Sequence, residues 1–250
     1  ICTTYNKGGK GRLCIYDGDT NLNNIIDMDG DGDFRSEECI KWLEECDVVV
    51  TNPPFSLFRD FVAQLMEYEK KFLIIGNVNA ITYKEIFPLI REDKIWIGPS
   101  IRSGDRKFSV PDNYPLNAAG CGIDTHGNRF IRVKGVRWFT NLDHNKRHEL
   151  LDLVCRYSPE EYPHYDNYDA INVDKTSDIP CNYPGAMGVP ITFLDKYNPE
   201  QFEILNANDF RKNNSVPCKQ HGLIKDKDGA INGKPTYARI LIRNKHPQQI

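Results

Sequence analysis

Between residues 36 and 98 the hydrophobic pattern alternates between helical and strand periods, and this alternation restricts the fold more than any other feature of the chain. Residues 36–45 have helical spacing with acids in the first turn. Asp47-Val48-Val49-Val50-Thr51 is a β-branched run long enough for a buried strand. After Asn52-Pro53-Pro54-Phe55, Ser56 is placed to cap a helix whose Phe58, Phe61, Val62, Leu65 and Met66 share one face. Residues 72–76 read as a second strand, Thr82 with Glu85 as a capping box ahead of a helix, and residues 94–98 as a third strand. Strand, helix, strand, helix, strand predicts an α/β fold with a parallel sheet and right-handed crossovers. Past Pro99 the pattern loosens. A strand or hairpin signal spans 129–142, a helix is expected over 148–156, and Pro, Asn, Asp and Tyr dominate the rest. The expected organisation is a first region over 1–142 and a loop-rich, mixed region over 143–250.

At 250 residues and 40% hydrophobic composition the chain buries a full core, which excludes a disordered protein. No apolar run approaches the roughly 18 residues of a membrane span, and the first residues lack a signal-peptide layout, so no membrane partner and a cytoplasmic location are expected. Eight cysteines show no CxxC pair and no zinc spacing, and read as free thiols; six histidines show no HxH or HxxxH spacing, so no metal ligand is assigned. The net charge of −3 hides an asymmetry. Residues 1–50 carry five Lys/Arg against eleven Asp/Glu, whereas residues 211–245 carry nine Lys/Arg against Asp226 and Asp228. A basic C-terminal segment is suited to phosphates.

Asn52-Pro53-Pro54-Phe55 follows a predicted parallel strand, at the carboxyl end where ligands collect in open α/β sheets. The two prolines remove two N–H donors and stiffen the turn, leaving the Asn52 amide oxygen and the Pro53 carbonyl as acceptors beside the Phe55 ring. Two acceptors next to an aromatic plate suit a planar base carrying an exocyclic NH2. The lone pair of such an amine is delocalised into its ring. Acceptors on both protons push density back to nitrogen, which prepares it to attack an electrophilic methyl group without a covalent enzyme intermediate.

The string Asn-Pro-Pro-Phe is similar to the catalytic motif of amino-group DNA methyltransferases, and the surrounding sequence resembles the EcoRI-type adenine-N6 modification methyltransferase family. The resembling stretches are GDGDFRS (30–36), DVVVTNPPFSLFRDF (47–61), KKFLIIGNVNAITYKEIFPLI (70–90), KIWIG (94–98), YDNYDAINV (165–173), MGVPITFLDKYNPEQFEIL (187–205) and YARILIRNK (237–245). The resemblance implies a Rossmann-like, three-layer fold, S-adenosylmethionine as methyl donor, and transfer to adenine N6 in a specific double-stranded DNA sequence, with base flipping. It implies that Asn52 and the Pro53 carbonyl accept from N6, that Pro54 shapes the turn and that Phe55 stacks on the base. Asp33-Phe34 resembles the pair in which an acid accepts from the adenine amine of the cofactor and a ring packs beside it. A cognate restriction endonuclease is the further partner such systems imply. The resemblance also carries a departure: residues 1–5 look like the second strand of the fold, so the first strand with its cofactor loop and helix is expected upstream, and this chain alone is expected to bind cofactor poorly.

Arg137, Lys146, Arg147, Arg211, Lys212, Arg239 and Arg243 are the candidate DNA-phosphate contacts. Trp96 and Trp138 lie in strand patterns and read as core. Two alternatives stand beside this reading. The same acceptor logic fits another planar NH2, an RNA base or a protein glutamine. Separately, Asp27, Asp29, Asp31, Gly32 and Glu38 match the EF-hand spacing for calcium, although residues 21–26 make a poor entering helix and Gly18-Asp19 reads as a turn.

Overall fold

The computed structural model describes residues 2–4, 8–16, 25–99, 106–117, 119–212, 222–225 and 228–249. The chain divides into two compact units, Ile1–Ile74 and Ile75–Ile250.

The first unit opens with β1 (Cys2–Thr4), β2 (Arg12–Cys14) and β3 (Ile25–Asp27), an antiparallel sheet in that order. Of the strand expected over residues 1–5, the described part therefore pairs antiparallel with β2. Leu13 and Met28 are buried and cluster with Cys39 of α1 (Glu37–Glu45), with Trp42 packed alongside. The Ser36 hydroxyl accepts from the Cys39 N–H and caps α1. β4 (Val48–Thr51) follows, then a 3-10 turn over Phe55–Leu57 and α2 (Phe58–Glu67), which buries Phe58, Val62 and Leu65. Ser56 does not cap α2. Pro54 (φ −56°, ψ 129°) sends the chain straight into the tight turn, the Leu57 N–H donates to the Pro54 carbonyl at 2.9 Å, and Ser56 is absorbed inside. β5 (Lys71–Asn77) runs from the first unit into the second and pairs in parallel with β4, Val49 opposite Phe72 and Thr51 opposite Ile74. Its burial alternates, with Phe72 and Ile74 at 0% exposure.

In the second unit Asn77 caps a 3-10 turn over Val78–Thr82, accepting from the Asn79 N–H, and the Thr82 hydroxyl donates to the Asn79 carbonyl. The expected Thr82 capping box is therefore absent, and α3 (Phe87–Arg91) begins later and is only five residues long. β6 (Trp96–Ile97) is likewise short and pairs antiparallel with the later strand Val136–Thr140. A three-stranded antiparallel sheet in the order β7-β9-β8 is made by β7 (Arg106–Ser109), β8 (Gly122–Ile123) and β9 (Arg129–Val133). The signal over 129–142 thus resolves into two strands of different sheets, β9 and β10 (Val136–Thr140), parted by Gly135. Gly135 has φ +66°, and a Cβ there would meet Val78 Cγ1 at 2.8 Å.

The helix expected over 148–156 does not form. A 3-10 turn ends at His148, and the backbone beyond is held by distant partners: the Gln201 carboxamide donates to the Leu151 carbonyl and accepts from the Leu151 N–H, both at 2.8 Å. Cys155 bridges to Pro180. The remaining core is a mixed sheet in the order β11-β12-β16-β13, from β11 (Ile171–Asn172), β12 (Met187–Pro190) and β13 (Phe202–Ile204). After the small hairpin β14 (Ala230–Ile231) and β15 (Lys234–Pro235), β16 (Arg239–Asn244) completes it, with Ile240, Leu241 and Ile242 at 0% exposure. Among the described residues no helix is long and apolar enough to cross a membrane.

Candidate functional site

The first unit contains a cleft of about 470 Å³, and β4 forms one wall of it. Beyond Thr51 the chain leaves the strand as Asn52-Pro53-Pro54, and all three line the cleft. Pro53 is buried while Asn52 is exposed. Neither the Asn52 side chain nor the Pro53 carbonyl has a protein hydrogen-bond partner among the described residues, so both acceptors remain available. Phe55 opens the 3-10 turn and is 37% exposed. It is not part of the cleft lining.

Asp33 and Phe34 lie on the segment before α1 and line the same cleft. Two sequence segments about twenty residues apart are thus brought together. Asp33 accepts from Arg35 through both oxygens, Nε at 2.9 Å and Nη2 at 2.7 Å, and this hydrogen bonding holds its carboxyl below the usual carboxylate range. It is therefore an ionised acceptor at neutral pH. The Phe34 ring packs edge-on to Phe61 of α2, centroids 5.0 Å apart. Cys39 also lines the cleft; burial pushes its thiol up, so it stays protonated.

Two cleft residues carry no signal in the motif-based reading. Gln64 on α2 donates Nε2 to the Phe34 carbonyl at 3.0 Å, which fixes the orientation of its amide, and its Oε1 is buried without a partner. Trp42 on α1 has its indole Nε1 buried without a partner. A polar residue beside the apolar stripe of Phe61 and Leu65 is the only hint that the sequence offers for Gln64. An ionised carboxylate, an orphaned acceptor, an orphaned donor and an aromatic edge in a cleft of this size are the features of a pocket for a drug-sized polar ligand.

The acidic loop is built differently from a calcium loop. Asp27 closes an antiparallel strand where an EF-hand needs an entering helix, and the Glu38 carboxylate accepts from the Asp29 and Gly30 amides. Asp33 is engaged by Arg35. Among the described residues no three His, Cys, Asp or Glu side chains gather around a point that would hold a cation. Gly18-Asp19 and residues 21–24 lie outside the described residues.

The cationic candidates all belong to the second unit, and three of them are buried. Arg137 (5% exposed) makes a two-pronged contact with Asp195, Nε to Oδ1 at 3.0 Å and Nη2 to Oδ2 at 3.1 Å. Arg147 pairs with Asp93 and lies 3.9 Å over the Trp96 ring. Arg239 reaches the Asn172 amide oxygen and Asp174. These three hold the fold. Arg211 is half-buried and donates to the Tyr168 hydroxyl, Lys212 donates to the Tyr165 carbonyl, and Arg243 faces Glu203 at 3.6 Å. Lys146 is half-buried at a small cavity beside Trp96 and His144. Trp96 and Trp138 are both half-buried. Part of the basic stretch, residues 213–221 and 226–227, lies outside the described residues.

A family model described as adenine-specific methyltransferase EcoRI matches residues 11–245. The chain is 54% identical over 222 residues to Type II methyltransferase M.EcoRI of Escherichia coli, an alignment covering 88% of this chain and 64% of that protein. It is 39% identical over 231 residues to Type II methyltransferase M.MpnI of Mycoplasma pneumoniae, covering 88% of this chain and 71% of that relative. The chain therefore spans 64% of the length of the Escherichia coli relative. No solved structure gives a significant match.

Proposed function

We propose, from the premise that this chain belongs to the EcoRI adenine-specific methyltransferase family, that it forms part of an enzyme methylating adenine N6 in a specific double-stranded DNA sequence. The observation that carries the reading is the single cleft that joins Asp33-Phe34 to Asn52-Pro53-Pro54. In this reading β4, the turn, α2 and β5 are the described portion of a Rossmann-like layer, residues 1–142 serve catalysis and residues 143–250 read the target. A cognate restriction endonuclease and a cytoplasmic setting belong to the same reading.

The cleft fits a nucleoside-bearing methyl donor. Asp33 would accept from an exocyclic amine of the donor, the Phe34 ring would pack on its base, and Gln64 Oε1 and Trp42 Nε1 would supply the acceptor and donor that are still unsatisfied. S-adenosylmethionine, when bound, supplies an electrophilic methyl group. The rest is done by this chain's own residues. The Asn52 amide oxygen and the Pro53 carbonyl each accept one proton of the target amine, which orients it and returns lone-pair density to nitrogen. The rigid Pro53-Pro54 turn keeps the two acceptors in place without reorganisation. The exposed Phe55 ring offers a stacking face for a base taken out of the duplex, because N6 is out of reach inside the helix stack. Four exposed or half-buried cations, Lys146, Arg211, Lys212 and Arg243, are the remaining phosphate contacts of those read from sequence.

The test is to express the gene's full reading frame, and its Asn52→Ala variant, in a host without adenine methylation and to map N6-methyladenine by long-read sequencing. A methylated motif that depends on Asn52 is expected. A folded protein that leaves the genome unmarked overturns the reading.

A further inference from the structure

No strand residue of the sheet β7-β9-β8 is buried, and every residue of β7 is exposed. An antiparallel sheet normally stabilises itself by burying one face. Here Phe108, Ile123 and nearby Tyr114 remain among the exposed large apolar residues. Charge is concentrated in the same place: residues 106–134 carry five Lys/Arg against Asp112 and Asp124, a net +3 in a chain whose total is −3.

The register makes the concentration unusual. Lys107 lies directly opposite Arg132, a like-charge pair across two strands, which is unfavourable for the sheet on its own. Both cations are drawn to one aromatic ring, with Lys107 Nζ 4.2 Å and Arg132 Cζ 5.9 Å from the Phe130 centroid. Only Lys107 finds a carboxylate, Asp124 at 3.0 Å; Arg106, Arg132 and Lys134 form no ion pair among the described residues.

The root of this finger is rigid. β9 passes through Lys134 and Gly135 into the buried strand β10, where Val136 and Phe139 are at most 1% exposed. The Val78 N–H donates to the Gly135 carbonyl and Asn77 Nδ2 to the Lys134 carbonyl. A basic antiparallel sheet with no buried strand residue, tied down at the end of β9, presents cations to solvent where the phosphate backbone of a duplex can meet them.

We propose that the β7-β9-β8 finger is a docking surface for the phosphate backbone of duplex DNA, with Lys107, Arg132 and Lys134 as its contacts. The proposal rests on the DNA-methyltransferase reading and adds a surface outside the cationic residues considered so far.

Binding of this chain to a random-sequence duplex is measured by fluorescence anisotropy across a salt series. The variant Lys107→Gln/Arg132→Gln/Lys134→Gln is compared with Lys84→Gln/Lys94→Gln/Lys175→Gln, which removes equal charge elsewhere in the unit. The finger variant is expected to lose about tenfold or more in affinity, and the slope of log K against log salt is expected to shrink by about 2–3, near 0.9 per lost phosphate contact. The control variant should stay within about twofold of wild type. Equal effects of the two variants, or an unchanged slope in the finger variant, overturn the finger while the DNA reading stands. Failure of the wild-type chain to bind the duplex at low salt instead removes the DNA reading on which the finger rests. Should the triple variant not fold, acetylation of wild-type Lys107 and Lys134 with and without duplex decides: protection of both supports the surface, and unchanged labelling overturns it.

Discussion

In the second unit, Arg137 and Arg239 are turned inward and matched to Asp195 and the Asn172–Asp174 pair, and Arg147 pairs with Asp93 although its Nε stays buried without a partner. In the first unit several polar groups around the cleft are left unmatched, namely the Asn52 side chain, the Pro53 carbonyl, Trp42 Nε1 and Gln64 Oε1, while Asp33 is held by Arg35. Polar groups thus do different work in the two places. A buried guanidinium with a complete set of acceptors links segments distant in sequence, as Arg137 of β10 does with Asp195, and has little capacity left for a ligand. An orphaned acceptor beside a cleft carries an unmet desolvation cost that a ligand can relieve. Burial and partnership, more than residue type, distinguish scaffold from site.

The contrast is broken most directly at Asn52. Asn52→Ala should reduce methyl transfer by about 10²–10³-fold, as for removal of one preorganised polar contact at a reacting centre. Being exposed, the residue should leave the unfolding midpoint almost unchanged, which chemical denaturation checks. The mirror experiment is Asp195→Ala in the second unit. It strands a buried guanidinium and should cost about 3–5 kcal/mol in urea unfolding. Adding Arg137→Met to that variant should restore most of the loss, since the charge and its lost partner then disappear together; no recovery would show that the pair is not the linking element.

Smaller effects sharpen the comparison within the cleft. Gln64→Leu keeps the volume of the side chain but removes both the orphaned Oε1 and the Nε2 that donates to the Phe34 carbonyl, and should weaken binding of S-adenosylhomocysteine about tenfold by calorimetry. The smallest effect concerns pH. Because Arg35 depresses the Asp33 carboxyl, the ionised form, and whatever binding or stability it contributes, is fully present above the unfolded carboxylate value of about 3.9 and is lost only as pH falls through the lower folded value. Nucleoside affinity should therefore be level from pH 7 to about 5. Arg35→Ala should move the acid limb of the titration upward, with a stability change of at most about 1 kcal/mol because the Arg35 side chain is 54% exposed.

Local pattern made much of the first unit legible. Val48–Thr51 and Lys71–Asn77 are strands and Glu37–Glu45 is a helix, because β-branched runs and helical spacing act over a few residues, although Val48 and Val50 are exposed where a buried strand was expected. Asn52-Pro53-Pro54 was legible too: prolines fix φ and remove donors wherever they stand, so the pair of free acceptors is written in the chain. Family membership was equally readable, because it rests on strings that survive in loops.

Where the sequence misled, long-range contacts had replaced the local signal. Ser56 and Thr82 have capping chemistry but sit inside 3-10 turns, and the stretch 148–156 has helical spacing but is held by the Gln201 carboxamide at Leu151 and by the Cys181 N–H, which donates to the Cys155 carbonyl. Which arginines face inward was equally invisible, since Arg137, Arg147, Arg239 and Arg243 are alike in one dimension and only their neighbours in space separate them. The union of Asp33-Phe34 with Asn52, and the addition of Trp42 and Gln64, were likewise decided by how α1 and α2 pack around β4. Backbone propensity and proline stereochemistry operate within a turn of chain and can be read from the residues alone. Burial, ion pairing and the joining of a cleft depend on segments twenty to sixty residues apart, and only the folded chain brings those together.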